Sequence, residues 1–243
     1  MKIYMVEQRS DAWRALRLGR PTSSNFAKIV TPKKCEMSKS ASEYALRLCA
    51  ERLLNATSES SIENPWMERG MMMEADAVRH YEFVTETKTC AVGFITTDDG
   101  TMGCSPDRLV LGDDRVAVEI KCQSPHVHLG YLLNGADEHY TPQVQGQILI
   151  AELSRVDLFS YHPSMPMALI KTTPDKDYIA KLSAALRQFC AVLDDMHQRA
   201  LKLGAFQPMS RIGSSGEVKE ITDINAAFRI ENERRFVKEG FTL

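Results

Sequence analysis

Three residues in the stretch SPDRLVLGDDRVAVEIKC, residues 105 to 122, have side chains suited to cleaving phosphate esters: Asp107, Glu119 and Lys121. Val-Ala-Val-Glu-Ile-Lys reads as a buried strand. Strand side chains alternate, so Glu119 and Lys121 share one face while Ile120 takes the other. A carboxylate and an ammonium on a buried sheet face are costly unless they pair or meet a metal. Asp107 stands twelve residues before Glu119, in a tight Ser-Pro-Asp corner. A hairpin through the GDDR turn would bring its carboxylate across to Glu119. Two carboxylates converging beside an amine make a site for a hard cation, Mg²⁺ or Mn²⁺, which keeps its waters and shares phosphate oxygens. The lysine there can hold or deprotonate an attacking water and stabilise charge developing on phosphorus. That chemistry is phosphodiester hydrolysis. A structural Glu–Lys pair on a solvated edge strand would be spelled the same way; the Pro-Asp at hairpin distance sets this triplet apart.

These residues need a scaffold. SDAWRALRLG predicts a helix capped by Ser10 and stopped at Gly19, and PTSSNFAKIV starts a second short helix with Thr22, Ser23 or Ser24 as its cap. SKSASEYALRLCAERLLN is amphipathic, with apolar residues at 45, 46, 49, 50, 53 and 54. A polar loop (57–65) leads to a helix over about 66–85 that carries Glu74. Short apolar runs with turn signals then predict three antiparallel strands, at about 89–96, 102–111 and 115–122. A helix after Pro142, strands in RVDLFSYHP and ALIKTTP, and a long helix ending at Gly204 complete the pattern. The order implies an α/β fold with a mixed central sheet flanked by helices. Residues 1–204 form one domain on this reading, and 205–243 a polar, mobile extension.

Composition narrows the class. The chain has 243 residues, 44% hydrophobic and 26% charged, as an ordinary globular protein does. No apolar run reaches membrane-spanning length, and the N-terminus is too polar for a signal peptide, so a cytoplasmic protein without a membrane partner is expected. The six cysteines form no C-x-x-C pair, which argues against a zinc ribbon or clustered iron–sulfur site and for free, mostly buried thiols. His126 and His128 have no ligand partner at metal spacing and are expected in a loop. Net charge is −2, yet residues 1–35 hold eight Lys/Arg against two acids, while 55–86 hold seven acids against two arginines. A basic face beside an acidic segment suits a metal site that handles phosphates, although ordinary solvated surface explains the charges equally simply.

Pro106-Asp107 with Glu119-Ile120-Lys121 resembles the PD-(D/E)xK nucleases, whose core is restriction-endonuclease-like. Five segments in order are similar, more narrowly, to the phage lambda exonuclease family of YqaJ-like viral recombinases and alkaline exonucleases. They are WRALRLGRPTSSNF (13–26), RGMMMEADAVRHYEF (69–83), GCSPD (103–107), VEIKC (118–122) and YTPQVQGQI (140–148). The resemblance implies Asp107, Glu119 and the Ile120 backbone carbonyl as metal ligands, Glu74 against the metal, and Lys121 on the nucleophilic water. It places Arg17, Ser24, Ser105 and Gln143 where the family binds the 5′-terminal phosphate. Arginine offers that phosphate a bidentate fork, Ser and Gln add neutral donors, and Ser24 lies near a helix start. Taken singly, Arg17 reads as a solvated helix arginine, Ser24 as an N-cap, and Glu74 and Gln143 as surface polar residues. The sequence departs from the family with Arg108 in place of its common Gly and Gln123 in place of its usual Pro.

The function so implied is a Mg²⁺-dependent 5′-to-3′ exonuclease. It degrades one strand of linear double-stranded DNA to mononucleotides and leaves a 3′ overhang for recombination by strand annealing. The resemblance also implies a homotrimeric ring around DNA and a single-strand annealing protein as partner. Other PD-(D/E)xK nucleases are the alternative within enzymes, either an endonuclease or a Cas4-like protein, the latter needing a four-cysteine cluster that this chain does not spell. A non-catalytic module that binds DNA ends is the alternative outside them.

Overall fold

The chain begins as a strand, β1 (Lys2–Tyr4), in the computed structural model. The structure describes residues 1–57, 65–112 and 115–207 and positions 220, 221, 226 and 230, with side chains between 57 and 72 outside the description. Ser10 caps α1 (Asp11–Arg17), its hydroxyl accepting the Trp13 backbone N–H at 3.2 Å. A 3₁₀ turn (Ser23–Asn25) runs into α2 (Phe26–Ile29). Helices α3 (Ala41–Leu54) and α4 (Pro65–Thr85) follow. Four short strands come next: β2 (Thr89–Cys90), β3 (Phe94–Thr96), β4 (Gly103–Cys104) and β5 (Arg108–Val110). The long strand β6 (Val116–Lys121) precedes α5 (Pro125–Asn134) and α6 (Thr141–Ala151). The rest is β7 (Arg155–Ser160), β8 (Ala168–Thr172), α7 (Lys176–Leu201) and β9 (Glu220–Ile221).

The strands form two sheets. One is antiparallel in the order β4-β3-β1-β9; the other runs β2-β5-β6-β7-β8. In the second, only β6 and β7 are parallel, Glu119 opposite Leu158, and α5 and α6 supply the crossover that a parallel pair requires.

Two of the three expected strands are therefore broken, each contributing to both sheets. The carbonyls of Val92 and Gly93 accept side-chain donors from Gln8 and Trp13 instead of continuing a ladder. Between β4 and β5, Pro106 has no N–H to donate. The expected loop around His126 and His128 is helix α5, so the two rings leave the helix in different directions. His128 is fully buried between Ser160 and the Pro166 carbonyl, and His126 stays exposed beside Ser124.

Strand β6 is central in its sheet and buried on both faces. Val118 and Ile120 meet Ala77 and Tyr81 of α4, together with Phe159. Ala117, on the opposite face, joins the main core with Val144 and Ile148 of α6 and Leu182 and Leu186 of α7. Helices α3 and α7 pack together, Tyr44 stacking on Phe189 at 5.7 Å. Helix α6 approaches the 3₁₀ turn and α2 so closely that a Cβ on Gly146 would lie 2.5 Å from the Phe26 ring. All six cysteines are free, and five are buried. Most of the stretch beyond 207, like residues 113–114 of the expected GDDR turn and 58–64 of the expected polar loop, lies outside the described residues. Within that stretch, Glu220–Ile221 pair with β1 and Ile230 joins the main core. Among the described residues no helix is long and apolar enough to cross a membrane.

Candidate active site

The β5–β6 pairing sets Arg108 opposite Val118 and Leu109 opposite Ala117, which carries Asp107 to the level of Glu119. The Asp107 carboxylate caps the strand edge there, accepting the Ile120 N–H at 2.6 Å. On the other face of that peptide, Glu119 and Lys121 form an ion pair at 2.8 Å with side chains 6% and 15% exposed. A pair so buried is no solvated edge-strand pair, and the charges need compensation on every side.

Helix α6 provides part of it. Gln143 donates to Glu119 Oε1 and Gln147 to Oε2, each at 2.6 Å. Four residues apart, the two amides face the strand from successive turns. Gln147 is fully buried, and its Oε1 has no partner. Gln143, expected at a terminal phosphate, is thus a clamp on Glu119 in this state. Sequence reasoning passed over Gln147 altogether, although its i,i+4 relation to Gln143 was the signal. It also passed over Tyr140, whose ring lies 4.7 Å under the Lys121 ammonium and whose hydroxyl accepts from Gln123.

Burial first, and then the charge of Glu119, push the Asp107 carboxyl well above the ordinary carboxylate value; Glu74 adds to this, while the Ile120 N–H and Lys121 oppose it. Burial alone would depress the Lys121 ammonium, but Glu119, with Asp107 and Tyr140 behind it, holds it above the ordinary lysine value. Lys121 is therefore a cation and donor here. Glu74, on α4, pairs with Arg9 at 3.4 Å. Arg9 adopts a left-handed conformation (φ 69°), a cost of about 1 kcal/mol or more for a residue with a Cβ. Among the described residues no three His, Cys, Asp or Glu side chains cluster closely enough to hold an ion unaided. Asp107 and Glu119 are two oxygen donors whose mutual repulsion a hard cation would relieve.

The second group of expected residues lies around α1. Trp13 donates from Nε1 to Ser105 Oγ at 3.0 Å, and its ring carries the Arg17 guanidinium 4.2 Å from the centroid. Arg17 Nη2 reaches Thr22 Oγ1 at 3.4 Å, and that hydroxyl meets Ser24 Oγ at 3.3 Å. Gln8 donates to the Pro106 carbonyl at 2.9 Å. Arg17, Ser24 and Ser105 are thus linked through Trp13 and Thr22, one residue from the Pro106-Asp107 corner. Arg108 turns inward, its Nε and Nη2 donating to the Thr89 hydroxyl and carbonyl at 3.0 Å each.

A mixed sheet with helices on both faces, its central strand bearing Glu119 and Lys121 opposite Asp107, is the PD-(D/E)xK core. The YqaJ-like viral recombinase domain model matches residues 12–154, more than half of the chain, and the protein belongs to that family. An alkaline exonuclease from Laribacter hongkongensis, LHK-Exo, is similar in structure. Its TM-score is 0.67 at 27% identity, over 80% of this chain and 100% of the other. A structure of LHK-Exo in complex with dAMP also matches, with TM-score 0.67, 28% identity and the same coverage. A phage-related exonuclease from Haemophilus somnus 129PT shares the fold, with TM-score 0.51, 13% identity, and 79% and 97% of the two chains covered. No curated protein sequence matches the chain.

Proposed function

We propose that this protein is a Mg²⁺-dependent exonuclease that degrades one strand of linear double-stranded DNA from its 5′ end to mononucleotides. The 3′ overhang it leaves would serve recombination by strand annealing. The observation that carries the reading is the buried Asp107–Glu119–Lys121 group one residue from the chain that joins Ser105, Trp13 and Arg17. Family membership and the likeness to LHK-Exo, an alkaline exonuclease also captured with a deoxynucleoside monophosphate, support it.

The donor set is all oxygen, as Mg²⁺ or Mn²⁺ prefers: Asp107, Glu119 and the Ile120 carbonyl would hold the ion, with Glu74 reaching it through water. Bound there, it would neutralise charge on the scissile phosphate and acidify a water. The chain's own groups do the rest. Lys121, held by Glu119 and Tyr140, donates to the attacking water and to a non-bridging phosphate oxygen. Gln143 and Gln147 keep the Glu119 carboxylate oriented. Arg17, stacked on Trp13, offers its fork to the 5′-terminal phosphate, with Ser24, Ser105 and Gln143 as neutral donors.

Mononucleotide release from linear duplex with Mg²⁺, compared between 5′-phosphate and 5′-hydroxyl ends and against a closed circle, tests this. Rapid release from the phosphorylated linear duplex alone is expected, and Lys121→Ala should bind DNA without releasing nucleotides. Cutting of the circle would make the protein an endonuclease; full activity of Lys121→Ala would sink the site. We also propose a homotrimeric ring and a single-strand annealing partner, and the free thiols fit a reducing cytoplasm. A native mass near three subunits is expected, and a clean monomer would refute the ring.

A further inference from the structure

Strand β7 carries a buried charge that the proposed chemistry does not use. Asp157 is 1% exposed and stands opposite Val118 of β6, on the face that α4 covers. Two groups compensate it. Arg155 donates from Nε to Oδ1 at 2.6 Å and from Nη2 to Oδ2 at 3.4 Å, and the Tyr81 hydroxyl donates to Oδ2 at 2.7 Å. Burial, and then the carboxylate itself, hold the Tyr81 phenol above its ordinary value, so it stays a donor.

A buried carboxylate is costly, and an apolar side chain of similar size would fill the same space with less penalty. What the charge adds is direction. Around this bond the contact of α4 with β6 and β7 is apolar: Ala77 and the Tyr81 ring lie on Val118, Ile120 and Phe159. The Tyr81 and Phe159 rings meet edge to face at 5.4 Å. Apolar contact is non-directional and leaves a helix free to turn or slide by fractions of an ångström. A hydroxyl held on a carboxylate at 2.7 Å is not free in that way.

Glu74 lies two turns before Tyr81 on the same face of α4, about 10 Å along its axis. Its charge acts on the Asp107 carboxyl, so it stands within reach of the candidate metal site. Its pair with Arg9, with side chains 35% and 55% exposed, is too solvated to fix it there. The setting of α4 on the sheet therefore decides where Glu74 stands.

We propose that Tyr81 is a positioning residue for the metal site: its bond to Asp157 fixes the rotation of α4 on the sheet, and with it the approach of Glu74 to Asp107. The inference rests on the proposed metal site and goes beyond it, to a residue on the far face of β6 from Glu119.

Mn²⁺ binding without DNA, read from the paramagnetic resonance of the free ion, tests this alongside urea unfolding. The proteins are wild type, Tyr81→Phe, Asp157→Asn, Glu74→Gln and the double variant of Tyr81→Phe with Glu74→Gln. Tyr81→Phe is expected to weaken Mn²⁺ binding about tenfold, as the loss of an outer partner does. Asp157→Asn leaves the hydroxyl a weaker, uncharged acceptor and should show a smaller loss in the same direction. Because Tyr81 acts through Glu74, adding Tyr81→Phe to Glu74→Gln should change the affinity by less than about twofold. Wild-type Mn²⁺ affinity in both Tyr81→Phe and Asp157→Asn, whatever their urea midpoints, would make the bond purely structural and overturn the proposal. A full further loss in the double variant would overturn it too. In either case, weakened binding by Glu74→Gln leaves the metal site standing. A wild type that binds no Mn²⁺, or a Glu74→Gln that binds it as wild type does, would remove the metal role of Glu74 and the proposal with it.

Discussion

Replacing Gln147 by Leu should separate stability from activity at this site. The buried amide donates to Glu119 Oε2 at 2.6 Å, while its own Oε1 is buried without a partner. A bond to a charged group contributes about 1.5–3 kcal/mol, and an unsatisfied buried polar atom costs about 1–3 kcal/mol. Leu has nearly the same volume, so the two terms offset and folding free energy should move by less than about 1.5 kcal/mol. Glu119 does not share in that cancellation. It loses the donor that orients one of its two oxygens, and the loss of such outer partners costs about 10–100-fold in metal affinity or activity. That is about 1.4–2.8 kcal/mol at the site. Urea unfolding gives the first quantity, and initial rates of nucleotide release across a Mg²⁺ titration give the second. A variant destabilised by about 3 kcal/mol or more with an unchanged Mg²⁺ dependence would refute the assignment, because Gln147 would then be a core residue and nothing else.

Gly146→Ala puts a methyl group 2.5 Å from the Phe26 ring and should destabilise the fold by about 1–3 kcal/mol, read as a lower urea midpoint. Glu82 offers a test of acid stability. Burial works to raise its carboxyl, but the Thr89 hydroxyl and N–H at 2.7 and 2.8 Å, aided by Lys88 and Arg108, hold it below the ordinary value. A depressed folded value means that the stabilisation is complete above the unfolded value, about 4.3, and is lost as pH falls through the folded one. Urea midpoints from pH 6 down to about 3 should fall less steeply for Glu82→Gln than for wild type.

Strand β6 and its charged pair were legible because the pattern that sets them is local. Period-two alternation fixed the shared face of Glu119 and Lys121, and a turn of ordinary length fixed Asp107 opposite them. Helix boundaries were equally plain where a cap spoke, as Ser10 does for α1. The break of the earlier strands into two sheets was hidden, because the donors that interrupt the ladder, Gln8 and Trp13, stand 84 and 80 residues away from the carbonyls they reach. Helix α5 was missed because His126 and His128 break the apolar period at its start, and only burial against Ser160 explains the second of them. The same holds for the site. A sequence shows that Gln143 and Gln147 share a helix face but not which strand residue that face meets.

The Trp13–Ser105 bond also bears on how the protein comes into being. Its partners are 92 residues apart in the chain, and Gln147 lies a further 42 beyond Ser105. Nor can β6 gain its parallel neighbour until α5 and α6 have been traversed. Contacts of such long range form late, since the entropy of closing the loop is lost before any contact offsets it. During synthesis, the acidic strand and the basic N-terminal helix therefore emerge as separate, inert pieces, and α6 must dock before Glu119 has both of its amide donors. The group around Glu119 is thus complete only once the chain has been made through α6 and β7.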